Sequence, residues 1–289
     1  MAQPDNPAAA SARQRLLSLA RESGTDYNAL LVQFTMERAL HLLSISRHAD
    51  QFILKGAMLF RLWDDDAARS TMDVDLLGRQ TGSMDEMKEV FREVLSAGDT
   101  AVAIRFLVDE LTAVEIRGAQ EYGGVRVVCP ALLGTARLRA QFDVGFGDAV
   151  TPGPVPSRLK CLLGLPDIPF DAYPPETVVA EKLEAVVRLG LINTRIKDFY
   201  DLWVLSQRLS ADSTVMARAV QATFARRNTP LPTSTPVGLT GAFATTPGRS
   251  GQWTAFLSRM DTPVAPVNFS EVIASLGEHY RLALGLGQP

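Results

Sequence analysis

Apolar residues recur at helical spacing twice at the start of the chain, over residues 11–22 and 28–46. In the second stretch Leu31, Phe34, Ala39, Leu42 and their apolar neighbours recur at helical spacing, which predicts an amphipathic helix with His41 inside it as a structural histidine. Phe52 to Leu54 reads as a short apolar strand. Lys55-Gly56-Ala57 then turns the chain into a helix through Leu59, Leu62 and Trp63, and Asp64-Asp65-Asp66 reads as a solvated loop. Across Thr71-Met-Asp73-Val-Asp75-Leu76-Leu77 the period shortens to two, the mark of a strand. Ser83 to Ala97 predicts an amphipathic helix, with Ser83 and Glu86 as its capping box. Strand-like runs follow at Ala101–Val108, Thr112–Arg117, Gly124–Cys129 and Arg137–Val144, separated by Gly, Asp and Pro as in antiparallel hairpins. The product expected is a mixed or antiparallel sheet flanked by helices, an α+β fold.

The second half is different in kind. Thr151-Pro-Gly-Pro-Val-Pro156 reads as a stiff connector, and Pro174-Pro175-Glu176-Thr177 as a helix start. Helices are predicted over 175–190, 194–209, 211–226, about 251–259 and 269–283. Asn228 to Trp253, rich in Pro, Thr and Gly, reads as a long loop, a feature usually functional or mobile. Three segments result: 1–25 as a flexible tail and first helix, 26–156 as an α/β domain, and 157–289 as a mainly helical domain. There is no internal repeat.

Composition narrows the class. With 289 residues, 46% hydrophobic and 21% charged, the chain has material for a substantial core. A net charge of −3 gives no bulk attraction to nucleic acid or anionic membrane, which leaves local basic clefts and an RNA substrate open. Cys129 and Cys161 lie far apart, and the histidines are only His41, His48 and His279. That argues against a disulfide scaffold or a zinc ribbon and for a reducing cytoplasm. The Pro- and Ala-rich start has neither a basic region nor an apolar run, so a frayed tail is expected there, not a signal peptide. No apolar stretch is long enough for a transmembrane helix.

On a strand, Asp73 and Asp75 share a face and repel. A divalent cation such as Mg²⁺, which takes oxygen ligands and is held by one or two carboxylates plus substrate phosphates, gives the pair a purpose. A solvated edge strand with two surface acids is the other reading. Asp143, between Phe142 and Val144, is a third strand acid. If its strand lies beside that of Asp73 and Asp75, three carboxylates converge and need a compensating cation; if it is an edge strand, Asp143 simply faces solvent. Lys55-Gly56-Ala57 is a small-residue turn at a helix start, where backbone N–H groups can approach phosphates. Ser70 and Thr71 could add hydroxyl contacts and Arg69 a positive charge, or serve only as turn residues. Further on, Glu181-Lys182-Leu-Glu184 and Arg195-Ile-Lys197-Asp198-Phe-Tyr-Asp201 are dense in charge. Asp198 and Asp201 share a helix face, which calls for a cation such as Lys182 or Arg195 opposite; a surface ion-pair network is the alternative.

In this order, Lys55-Gly56-Ala57, Arg69-Ser-Thr71-Met-Asp73-Val-Asp75-Leu, a strand Asp143, Glu181-Lys182 and Lys197-Asp198-Phe-Tyr-Asp201-Leu, the chain resembles the AbiEii/AbiGii toxin family. These are nucleotidyltransferase-like proteins of bacterial abortive-infection and toxin–antitoxin systems, in the DNA polymerase beta-like superfamily. The resemblance runs from about residue 28 to 280 and takes in Phe34-Thr-Met-Glu37-Arg38, Phe224-Ala-Arg226-Arg227-Asn-Thr and Gln252-Trp253.

It implies a nucleotidyltransferase fold with a helical C-terminal domain. Asp73 and Asp75 become metal ligands, with Asp143 matching the third carboxylate. Lys55, Gly56, Ala57, Arg69 and Thr71 become the nucleotide-binding group, Lys182 a phosphate ligand, and Asp198 a second essential acid. Ala57 departs from the commoner Ser or Gly and removes one hydroxyl. The implied activity is that of a Mg²⁺-dependent toxin moving a nucleoside monophosphate from an NTP to a cellular acceptor, the 3′ end of tRNA in some relatives. The implied partner is a cognate antitoxin, commonly a winged-helix protein. The alternatives are an NTP-binding regulatory protein that has lost turnover, for which Ala57 speaks, and a metal-dependent nuclease using the same carboxylates.

Overall fold

The structure, a computed structural model, describes residues 6–63, 71–116, 123–208, 212–260 and 263–287. Asp64 to Asp66, Arg69, Ser70 and Arg117 therefore lie outside the described residues. The chain divides into two compact units, Met1–Gly147 with Pro156–Ala172, and Asp148–Val155 with Tyr173–Pro289.

The first unit opens with two helices, α1 (Pro7–Ser23) and α2 (Tyr27–Ser44), capped by Asn6 and Asp26. Next come β1 (Phe52–Lys55), a 3₁₀ turn at Ala57–Leu59, α3 (Phe60–Trp63), β2 (Val74–Gly78) and α4 (Met84–Ser96). Both halves of the expected capping box are made at Ser83 and Glu86. The strands β3 (Ile104–Phe106), β4 (Thr112–Ile116), β5 (Gly124–Leu133), β6 (Ala136–Phe146), β7 (Val155–Leu159) and β8 (Ile168–Ala172) complete the set. Among the described residues they form one eight-stranded mixed sheet in the order β3-β5-β6-β2-β1-β8-β7, with β4 also on β5. The α+β expectation holds, and of the two arrangements foreseen the sheet is the mixed one: β2 runs parallel to β6, and β1 to β8.

Three differences from the sequence reading have local causes. The segment after residue 150 contains strands β7 and β8, each with proline as its second residue, which argued against a strand. The run read as ending at Cys129 continues through Pro130 to Leu133, because Pro130 still accepts from Leu107 N (2.7 Å) although it cannot donate. Asp73 stands just ahead of β2, not within it.

One face of the sheet is packed under α2 and α4. Val127, Phe142 and Val74 form one buried row across β5, β6 and β2, and Val125, Val144, Leu76 and Leu54 the next, extended to β1. Phe91 of α4 lies over them, 4.4 Å between ring centroids from Phe142 and 5.7 Å from Phe52. Glu37 and Arg38, neighbours on α2, are both buried. Glu37 takes Arg61 Nη1 (2.6 Å) and Leu162 N (2.8 Å), and Arg38 pairs with Asp99 (3.1 Å).

The second unit comprises α5 (Pro175–Leu189), α6 (Ile196–Arg208), α7 (Ser213–Arg226), α8 (Gly241–Ala244), α9 (Arg249–Leu257) and α10 (Phe269–His279). Residues 228–253 are not one loop: Val237–Leu239 forms a 3₁₀ turn, and Phe243 of α8 stacks on Phe199 at 5.0 Å. Short apolar pieces between the prolines dock into the aromatic core, where Trp253 stacks on Phe269 and donates its indole N–H to Pro266 O (2.9 Å).

Beside that core, Arg227 ties three carboxylates together: Glu184 (3.0 Å), Asp148 (3.0 Å) and Glu181 (3.1 Å). Burial works against its charge, yet Glu181 and Asp148, joined by Glu184, hold its pKa above the ordinary arginine value. The buried Glu184 also accepts from Arg188 Nε and Thr229 Oγ1, both at 2.8 Å. Arg227→Met leaves these acids without their shared cation and is expected to cost about 3–5 kcal/mol in urea denaturation. A loss under about 1 kcal/mol, the level of a surface pair, would show that Arg227 does not hold this unit together.

Candidate active site

The face of the sheet opposite the packed one carries charge. Paired residues on neighbouring strands point the same way, and the register aligns Lys55 with Asp75, Asp75 with Asp143, and Asp143 with Arg126. A row of signs plus, minus, minus, plus therefore crosses β1, β2, β6 and β5. Asp143 is not on an edge strand: β6 lies between β5 and β2. Asp73, Asp75 and Asp143, all partly exposed, each offer an oxygen within 4.8 Å of the others.

Each acid is positioned by identifiable neighbours. Asp143 receives Arg126 Nε on Oδ1 (2.8 Å) and Nη2 on Oδ2 (2.6 Å), and Gln141 Nε2 on Oδ1 (3.2 Å). The bond to Asp143, reinforced by the fields of Asp73 and Asp75, raises the Arg126 pKa above its ordinary value. Asp73 Oδ1 accepts the Thr71 hydroxyl at 2.6 Å, which gives Thr71 an orienting contact. The Asp75 carboxylate lies against Gly56: a Cβ on that residue would come within 2.6 Å of Asp75 Cγ, and its φ of +75° with ψ of −155° suits only glycine. Lys55 reaches across β2, its Nζ 3.3 Å from where a Gly145 Cβ would stand. Ala57 is buried at the start of the 3₁₀ turn. Arg69 lies outside the described residues.

The donor set suits a hard divalent cation. Three carboxylates and no sulfur or imidazole is oxygen chemistry of the kind Mg²⁺ prefers. A cavity of about 660 Å³ in the same unit has Leu54 and Leu76 in its lining, the face opposite Asp75, and takes in none of these acids.

In the second unit Lys182 Nζ donates to Asp198 Oδ1 and Asp201 Oδ2, both at 2.8 Å, and Arg195 Nε stands 2.5 Å from Asp198 Oδ2. Both acids are buried, so this is not a surface network; Lys182 and Arg195 are the cations that the shared face required. Lys197 is exposed.

Arg126 and Gln141 escaped the sequence reading, although a signal existed. Gly134-Thr135 makes a two-residue hairpin that pairs Leu133 with Ala136. Counting seven residues outward on each side leads to Arg126 and Asp143, so the turn alone fixes that pair.

A mixed sheet whose adjacent strands present converging acids, in a unit separate from a helical one, defines a nucleotidyltransferase-like class. The family model for the nucleotidyl transferase AbiEii toxin of type IV toxin–antitoxin systems matches residues 38–275, and the chain belongs to this family. Two solved structures share the fold. A candidate nucleotidyltransferase from H. pylori aligns with a TM-score of 0.52 at 13% identity, over 90% of this chain and 96% of its own. JHP933 from Helicobacter pylori aligns with 0.51 at 13% identity, over 90% and 93%. A search of curated proteins returned no match.

Two outcomes follow from this geometry. Gly56→Ala forces the Asp75 carboxylate aside; thermal melting is expected to register a loss of about 1–3 kcal/mol. An unchanged melt would mean that Asp75 has other room. Lys182→Ala leaves two buried acids without their ammonium, and a destabilisation of about 3–5 kcal/mol is expected. Chemical denaturation checks this, and a stability equal to the parent would show that Lys182 does not hold these acids in the fold.

Proposed function

We propose that this protein transfers a nucleoside monophosphate from an NTP to a cellular acceptor in a Mg²⁺-dependent reaction, with the 3′ end of tRNA as the acceptor. The observation that carries the reading is the convergence of Asp73, Asp75 and Asp143 within 4.8 Å, inside the region that matches the nucleotidyl transferase family. In the reaction an acceptor hydroxyl attacks the α-phosphorus, the bond to the bridging oxygen breaks, and pyrophosphate leaves. A divalent ion held by the three carboxylates would acidify the attacking hydroxyl and stabilise the leaving oxygen. The protein's own part is orientation. Thr71 turns one Asp73 oxygen, Gly56 makes room for Asp75, and Arg126 with Gln141 fixes the plane of Asp143. Lys182 and Asp198 are proposed as further essential residues on the family resemblance. Because Lys182 also neutralises Asp198 and Asp201, Lys182→Arg, which keeps the charge, separates an active role from a structural one.

The toxin works, on this proposal, against an antitoxin encoded with it. The test is incubation with each labelled NTP, total RNA and Mg²⁺. One nucleotide is expected to label a tRNA-sized band, chelation to abolish the signal, and Asp75→Asn to lower the rate at least about 100-fold, the scale of an electrostatic or metal-holding group. Expression in a host without the antitoxin should arrest growth for the parent and not for Asp75→Asn. Shortening of RNA in place of labelling would favour a nuclease, and NTP binding without transfer a regulator; either would overturn the proposal.

A further inference from the structure

Arg126 poses a problem that the proposed reaction does not solve. Three carboxylates this close do not ionise together without a cation nearby. Here the guanidinium of Arg126 takes that place at Asp143, engaging both oxygens in a fork at 2.8 and 2.6 Å while Gln141 adds a third donor at 3.2 Å. A Mg²⁺ ion needs a carboxylate oxygen at about 2.0–2.1 Å, and a guanidinium on the same two oxygens opposes it by like charge and by occupying lone pairs. Arg126 is also placed to leave. Its backbone is fixed in β5, paired to Asp143 by the hairpin, but 42% of its side chain is exposed, against 15% for Asp143. Rotating outward costs it little packing. Lys55, in register on the far side of Asp75, supplies the other flanking charge, so one positive group still stands beside the acids when Arg126 moves.

We propose that Arg126 is a displaceable counter-ion of the carboxylate site: an arriving divalent cation takes Asp143 from it, and the released guanidinium pairs with the triphosphate that accompanies the metal. The inference rests on the reading that Asp73, Asp75 and Asp143 hold the metal. It makes Arg126 a positioning group without substrate and a substrate ligand with it, a change that the planar, permanently charged fork suits because it can engage carboxylate and phosphate oxygens bidentately.

The two roles have opposite signs, which makes them measurable. Free Mn²⁺ is followed by electron paramagnetic resonance at constant ionic strength, in the parent, Arg126→Met, Asp143→Asn and the double variant. Arg126→Met is expected to bind Mn²⁺ about fivefold more tightly, the equivalent of losing one partly exposed ion pair. The gain is expected to vanish in the Asp143→Asn background. With Mn²⁺ saturating, the same Arg126→Met protein is expected to bind a non-hydrolysable NTP analogue about tenfold more weakly, one charge-assisted hydrogen bond lost. Arg126→Lys keeps the charge without the fork; it is expected between the two and answers the question if Arg126→Met does not fold. Unchanged or weaker Mn²⁺ binding in Arg126→Met, a gain that persists in Asp143→Asn, or unchanged analogue affinity overturns the exchange. If the parent binds no Mn²⁺, or Asp73→Asn binds it as well as the parent, the metal reading itself fails and the exchange falls with it.

Discussion

The parallel pairing of β2 with β6 is the constraint on which the site depends, because it sets Asp75 abreast of Asp143. Neighbouring strands lie about 4.8 Å apart, so two acids in register repel unless something positive stands with them. The sheet meets this with a charge row, Lys55 and Arg126 outside and the acids inside. What enforces the register is the opposite face. Val74, Phe142 and Val127 are buried together, and a slip of one residue would move them to the charged side and the acids into the core. Burial of apolar surface on one face thus holds like charges together on the other.

Most of that arrangement was legible in the sequence, and the missing parts have physical reasons. Periodicity located β2, α4, β5 and β6 and put Asp73 and Asp75 on one face, while Asp143 stood only as a third strand acid whose place beside them stayed open. Adjacency was not visible, because β2 and β6 are separated by α4 and three strands, and nothing local says which strands pair across such a distance. Arg126 was within reach through the Gly134-Thr135 hairpin, since register follows from turn length. Strands β7 and β8 were hidden by Pro156 and Pro169, which a propensity argument counts against a strand whatever its surroundings allow.

Several residues that carry the resemblance to the family have structural duties that can be read directly. Glu37 anchors Arg61 and the backbone at Leu162. Arg227 gathers Asp148, Glu181 and Glu184, and Lys182 bridges Asp198 and Asp201. Such buried ion groups are costly to break, because removing one partner leaves the other charged in a poor solvent. A motif residue in one of them is constrained by folding before any chemistry is considered. Asp73, Asp75 and Asp143 differ: they are partly exposed, and they gather three like charges within 4.8 Å of one another.

The most direct measurement is anomalous scattering from crystals grown with Mn²⁺ and a non-hydrolysable NTP. An anomalous peak is expected within ligand distance of Asp73, Asp75 and Asp143, with the triphosphate on the same ion. A triphosphate bound elsewhere, with no peak at these three carboxylates, would contradict it.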